Sequence, residues 1–125
     1  MNEPDPYDRG MEVRREVLGD DHVDRAIEQT TELTRGFQEL ITRYAWGEVW
    51  SRPQLDRRAR SMITLALLAA LGHEDELAMH VRAALRNGLS PEEISEVLLH
   101  TAIYAGVPVA NRALAVAQTV LAEES

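Results

Sequence analysis

Residues 56–72 read Asp56-Arg57-Arg58-Ala59-Arg60-Ser61-Met62-Ile63-Thr64-Leu65-Ala66-Leu67-Leu68-Ala69-Ala70-Leu71-Gly72. Asp56 is a helix N-cap, because its carboxylate can accept from the open N–H groups of the first turn. From Met62 to Leu71 only Thr64 interrupts the apolar side chains, and Gly72 punctuates the end. A helix that is apolar all round is normally the buried centre of an α-bundle. The run is also far shorter than the roughly 20 residues needed to cross a bilayer. An all-α fold is the expectation.

The rest of the chain agrees with that reading. Pro4 and Pro6 precede a charged helical segment from about Tyr7 to Leu18, closed by Gly19. Asp20 or Asp21 is placed to cap the next helix, which Thr30-Thr31 breaks. A longer amphipathic helix carries Leu33, Phe37, Leu40, Ile41 and Tyr44, continues through Trp46 and Trp50, and ends at Pro53. Beyond Gly72 a helix runs from Glu74 to Asn87 and stops at Gly88. Ser90-Pro91-Glu92-Glu93 is a capping box with Pro at the first helical position. That helix breaks at Gly106-Val107-Pro108, and a last one runs from Pro108 to about Ala122. No stretch alternates with period two. One domain over residues 1–125 is expected, a bundle of five to seven helices, with residues 1–20 as a peripheral N-terminal helix.

Composition narrows the chemistry. The net charge is −8, and phosphate backbones need a basic footprint, so nucleic acid is not an expected partner. An anionic membrane is disfavoured for the same reason. There is no cysteine, which excludes disulfides, zinc–thiolate sites, iron–sulfur clusters and thiol nucleophiles. All 13 basic residues are arginine, so a Schiff-base or pyridoxal lysine and a P-loop lysine are also excluded. The acidic first residues lack the apolar core of a signal peptide, and a cytoplasmic protein is the expectation. Catalysis would have to rest on arginine, carboxylate, histidine, hydroxyl and backbone groups.

Three constellations can carry such chemistry. Arg52, Arg57, Arg58 and Arg60 crowd the start of the central helix, the wrong end of the dipole for cations. They either form an anion trap suited to a carboxylate or pair with the many acidic residues. Glu76 and His80, at i and i+4, share a helical face beside Leu77, Val81, Ala84 and Leu85. The pair is either a general acid with its orienting carboxylate or a surface pair of little consequence. Trp46, Trp50 and Tyr104 are either core or the wall of a pocket. His22, His73, His80 and His100 show no metal-ligand spacing, and no metal is expected.

The colinear set Tyr44-Ala45-Trp46-Gly47, Trp50-Ser51-Arg52-Pro53, Leu55 to Ser61, Glu76-Leu77 with His80, Asn87-Gly88-Leu89-Ser90, Glu92-Glu93-Ile94, Glu96-Val97 and Tyr104 to Pro108 resembles the 4-carboxymuconolactone decarboxylase family. The resemblance covers about Val23 to Ala117. The wider alkylhydroperoxidase-D-like superfamily carries a CxxC pair and a histidine. Here His73 and Glu76 stand at the two cysteine positions and His80 at the histidine position, so thiol peroxidase chemistry is excluded. His100, where the family pattern has Gln, and Ala105, often Cys, depart from it.

The resemblance implies a compact all-α subunit in a ring-like homo-oligomer, commonly a hexamer. It also implies conversion of 4-carboxymuconolactone to 3-oxoadipate enol-lactone and carbon dioxide, in the protocatechuate branch of the β-ketoadipate pathway. The substrate carries its own electron sink, so no cofactor is expected. On this reading His80 and Glu76 are catalytic, and Arg60, Arg58, Arg52, Trp46, Trp50 and Tyr104 bind substrate. Two alternatives stay open. One is a decarboxylase-like enzyme for another small acidic lactone or keto acid, and the other is a non-catalytic helical oligomer.

Overall fold

The computed structural model describes residues 5–124, so Pro4 lies outside the described residues. Those residues form seven α-helices and one π-helical segment, with no strand among them. In chain order they are α1 (Pro6–Leu18), α2 (Asp20–Glu28), α3 (Arg35–Ile41) and the π-helical segment Thr42–Trp50. Then come α4 (Arg57–Leu71), α5 (Glu74–Arg86), α6 (Pro91–Ala105) and α7 (Val107–Glu124). Contacts divide the chain after Leu55 into two compact units.

In the N-terminal unit Asp5 caps α1 by accepting from the Tyr7 N–H at 2.7 Å. Gly10, Val13, Arg14 and Val17 are buried at the i, i+3, i+4, i+7 spacing of one helical face. Val13 and Val17 pack with Trp46, so α1 contributes to the core of this unit. Gly19, at φ +92°, ends α1 and directly precedes α2. Asp20 and Asp21 therefore lie inside the first turn of α2 and do not cap it. Arg15 instead pairs with Asp20 at 3.1 Å and with Asp24 at 2.9 Å.

The long helix expected from Leu33 to Trp50 is not one α-helix. Its second half widens into π geometry, which turns Thr42, Trp46 and Gly47 inward against α1. The two backbones touch there. A Cβ on Gly10 would collide with the Thr42 carbonyl, and one on Gly47 would sit 2.5 Å from the Pro6 carbonyl oxygen. The stripe of Leu33, Phe37, Leu40 and Tyr44 is exposed, Leu33 to 92%.

The C-terminal unit packs α4, α5, α6 and α7 around Leu65, Ala69, Leu77, Val81, Ala84, Ile94, Leu98, Ala113, Ala117 and Val120. Asp56 caps α4, accepting from the Ala59 N–H at 2.8 Å. Both halves of the Ser90–Glu93 capping box are present. Alanines at 110, 113 and 117 let α7 approach its neighbours closely. The central helix departs from expectation. Ser61, Leu65 and Ala69 are buried, but Ile63, Leu67 and Leu71 are exposed. Within this unit α5, α6 and α7 cover only one side of α4, so its other apolar face is left open.

Candidate active site

Within the C-terminal unit, side-chain bonds fix how α4 and α5 run. Asn87 Nδ2, just past the end of α5, donates to Ser61 Oγ at 3.1 Å. Arg58 Nη1 donates to the Gly88 carbonyl. The head of α4 thus lies beside the tail of α5, and the helices are antiparallel. His80 precedes Asn87 by seven residues, so it lies about 10 Å back along α5 at 1.5 Å rise per residue. Glu76 lies one helical turn beyond, about 6 Å more. The arginine-rich head of α4 and the imidazole on α5 therefore lie at two levels along this antiparallel pair of helices.

The individual environments differ. Arg60 is half-buried on α4, with its Nε enclosed by protein. His80 is half-buried, with its Nδ1 enclosed, whereas Glu76 on the same side of α5 is exposed. A guanidinium and an imidazole held at the edge of an apolar core act at reduced dielectric, where charge-assisted contacts to an anion are strongest. Arg58 is occupied by protein groups. Its second amino group is ion-paired with Glu93, which raises the Arg58 pKa and holds the Glu93 carboxyl below the usual carboxylate range.

The remaining expected site residues are divided between the two units. Arg52, Trp46 and Trp50 belong to the N-terminal unit. Arg52 is exposed, while Trp46 lies in that unit's core with its ring centroid 5.1 Å from that of Trp50. Tyr104, on α6, is 81% exposed and stacks on His100 at 5.1 Å. A groove of about 940 Å³ in the C-terminal unit lies between α4 and α6. Its walls include Met62, Ile63, Glu92, Glu93, Glu96 and His100. Three carboxylates make it a poor receptacle for an anion, and Arg60, Glu76 and His80 do not line it. No group of three or more His, Asp or Glu is placed to hold a metal ion among the described residues.

Ser61 and Arg14 are among the buried polar residues that the sequence did not single out. Ser61 begins the buried stripe Ser61, Leu65, Ala69, and that spacing of four was the available signal. Arg14 shares the buried face of α1 with Gly10, Val13 and Val17, where a helical wheel would have singled it out from Arg15.

The C-terminal unit is an all-helical bundle with arginines at the head of α4 and a Glu-x-x-x-His pair on α5. The chain belongs to the carboxymuconolactone decarboxylase family, whose sequence profile matches residues 35–119. It is 50% identical over 120 residues to the 4-carboxymuconolactone decarboxylase of Acinetobacter baylyi, covering 96% of this chain and 90% of that one. It is 46% identical over 112 residues to the nitrosuccinic acid decarboxylase npaB of Metarhizium robertsii, covering 90% of this chain and 78% of the relative. A Pseudomonas putida 4-carboxymuconolactone decarboxylase sequence is 54% identical over 48 residues, which is 38% of this chain and 100% of that sequence.

Proposed function

We propose that this protein is a carboxy-lyase that decarboxylates 4-carboxymuconolactone to 3-oxoadipate enol-lactone. The observation that carries this reading is the 50% identity, over nearly the full length of both chains, to a relative named for that activity. The chemistry suits the residues. The ring carbon that bears the departing carboxylate is conjugated through the ring alkene to the lactone carbonyl. Breaking the C–C bond releases carbon dioxide and moves the electron pair through the alkene onto the carbonyl oxygen. Protonation at the carbon beside the carbonyl then gives the enol-lactone, so the substrate serves as its own electron sink.

The protein holds a dianion, steadies the developing dienolate and delivers one proton. Arg60 holds a carboxylate or faces the oxyanion from the head of α4. His80, oriented by Glu76, delivers the proton. Arg58, bonded to Glu93 and Gly88, sets the head of α4 against the start of α6 and contributes positive potential. Arg52, Trp46, Trp50 and Tyr104 remain candidates for substrate contact. The family profile spans the division after Leu55, which supports one functional domain built from both units.

The protein acts as a homo-oligomer in the cytoplasm, in protocatechuate degradation. Apolar stripes left open in the single chain support assembly: Leu33, Phe37, Leu40 and Tyr44 in one unit, Ile63, Leu67 and Leu71 in the other. None of the described helices is long and apolar enough to cross a membrane. A second substrate reading rests on the relative named for nitrosuccinic acid. That substrate is also a small dicarboxylic acid with an electron-withdrawing group to take up the pair. The deciding experiment follows substrate absorbance and carbon dioxide release with chelator-treated enzyme, offering each acid separately. Stoichiometric carbon dioxide from the lactone supports the first reading. Release from nitrosuccinate alone selects the second, and none from either points to a non-catalytic oligomer.

A further inference from the structure

We propose that the N-terminal unit contains a binding site for a small organic carboxylate, with the buried Arg14 guanidinium as its cation. The site uses none of Arg60, Glu76 and His80, and it does not depend on the decarboxylase reading. A cavity of about 300 Å³ is enclosed by α1, α2, α3 and the first residue of the π-helical segment. Arg14 lines it while being only 5% exposed.

The polar partners of Arg14 are all neutral. Its Nη1 donates to Thr42 Oγ1 at 3.2 Å and its Nη2 to Gln38 Oε1 at 3.1 Å. Its Nε is buried without an acceptor, and Arg14 makes no ion pair among the described residues. A guanidinium has five N–H donors and does not deprotonate in proteins, so a full positive charge is held here with neutral acceptors on Nη1 and Nη2 and none on Nε. Such a charge is costly to bury unless an anion accompanies it. Burial pushes the Arg14 pKa below its ordinary value; Tyr7 opposes this, and the like charge of Arg15 adds to it.

The neighbours are arranged for a ligand's carboxylate. Thr42 Oγ1 gives its own proton to the Gln38 carbonyl at 2.7 Å, so it serves Arg14 purely as an acceptor and holds it in place. Gln38 turns its amide oxygen to the guanidinium, which leaves its NH₂ as a further donor. Met11 and Ile27 supply an apolar wall for a short carbon chain. Arg35 adds positive charge at the rim, shared with Glu32 at 2.7 Å. Glu39 is the one lining carboxylate, exposed at the rim, and it opposes an anionic ligand. The volume and the single buried cation fit an aliphatic acid of a few carbon atoms.

The test uses the full chain with ¹⁵N-labelled arginine, following the Arg14 Nε–Hε resonance while succinate, acetate or chloride is added at constant ionic strength. Succinate or acetate should shift it saturably and chloride should not. Gln38→Glu sets a permanent carboxylate beside the guanidinium without removing Arg14, and should weaken carboxylate binding by about tenfold or more. Glu39→Gln, on the exposed rim where folding is not at stake, should tighten it. A wild-type resonance unmoved by either carboxylate, an equal response to chloride, or affinity unchanged in both variants overturns the proposal.

Discussion

Arg58 in the first turn of α4 is ion-paired with Glu93 in the first turn of α6, and one Glu93 carboxylate closes two contacts at once. Its Oε2 takes the guanidinium, while its Oε1 accepts from the Ser90 N–H at 2.9 Å. The start of one helix is thereby capped by a residue that also ties it to another. The Arg58 hydrogen bond, and after it the Ser90 N–H, holds the Glu93 carboxyl below its ordinary value. A carboxyl lowered on folding contributes stability that is complete above its unfolded pKa, about 4.3 for Glu, and is lost as pH falls through the folded value. Arg58→Met should therefore be less stable than wild type at neutral pH, with the gap closing as pH drops below the carboxylate range. Urea melts across that range measure it; a gap independent of pH would remove the pair from the account.

The contact between α1 and the π-helical segment depends on the absence of side chains. Gly47→Ala brings a methyl 2.5 Å from the Pro6 carbonyl oxygen, and should destabilise by about 1–3 kcal/mol, the usual range for overpacking. Gly36→Ala in α3 meets nothing within 4 Å, and should instead stabilise by about 0.4–1 kcal/mol through a less flexible unfolded chain. Thermal melts of the two variants should move in opposite directions.

For His80 the expected loss lies in the maximal rate. His80→Gln keeps a polar group of similar reach but supplies no proton at neutral pH, so kcat should fall by roughly 10²–10⁴-fold, with KM changing less. Glu76→Gln should be milder, because the imidazole keeps an orienting partner and loses only its charge. A near-normal rate in His80→Gln would make the histidine a packing residue and send the search for the acid to His100, Tyr104 and Glu48.

Arg60→Gln should leave helicity unchanged by circular dichroism while kcat/KM falls by about 10–100-fold, the equivalent of a lost charge-assisted carboxylate contact. Kinetics indistinguishable from wild type would mean that Arg60 serves only as a neighbour of Ser61 and Asn87.

Purified protein should not reduce hydroperoxides at the expense of thiols, since the chain contains no cysteine to be oxidised and resolved. Thiol-dependent peroxide consumption above a blank would contradict this chemistry.

The local punctuation of this protein is written in its sequence. Asp56, Gly72, Gly88 and Ser90-Pro91-Glu92-Glu93 mark the ends of α4, α5 and α6 because caps and left-handed glycines act within a few residues of where they stand. The missing cysteine and lysine likewise restrict the available chemistry before any fold is considered. What the sequence did not disclose depends on packing between elements distant along the chain. The π geometry of Thr42–Trp50 accompanies a close approach to α1 that no local propensity encodes. The all-round apolar α4 reads as a buried centre, yet only its Ser61, Leu65 and Ala69 stripe is covered, because the number of neighbouring helices decides burial. Arg58 and Arg60 look alike two positions apart, but Glu93 and Gly88 engage Arg58, and only tertiary structure brings them there. Arg14 shows the same division: its place on a buried helical face follows from the 3.6-residue period, while its neutral hydrogen-bond partners follow from where Gln38 and Thr42 come to rest.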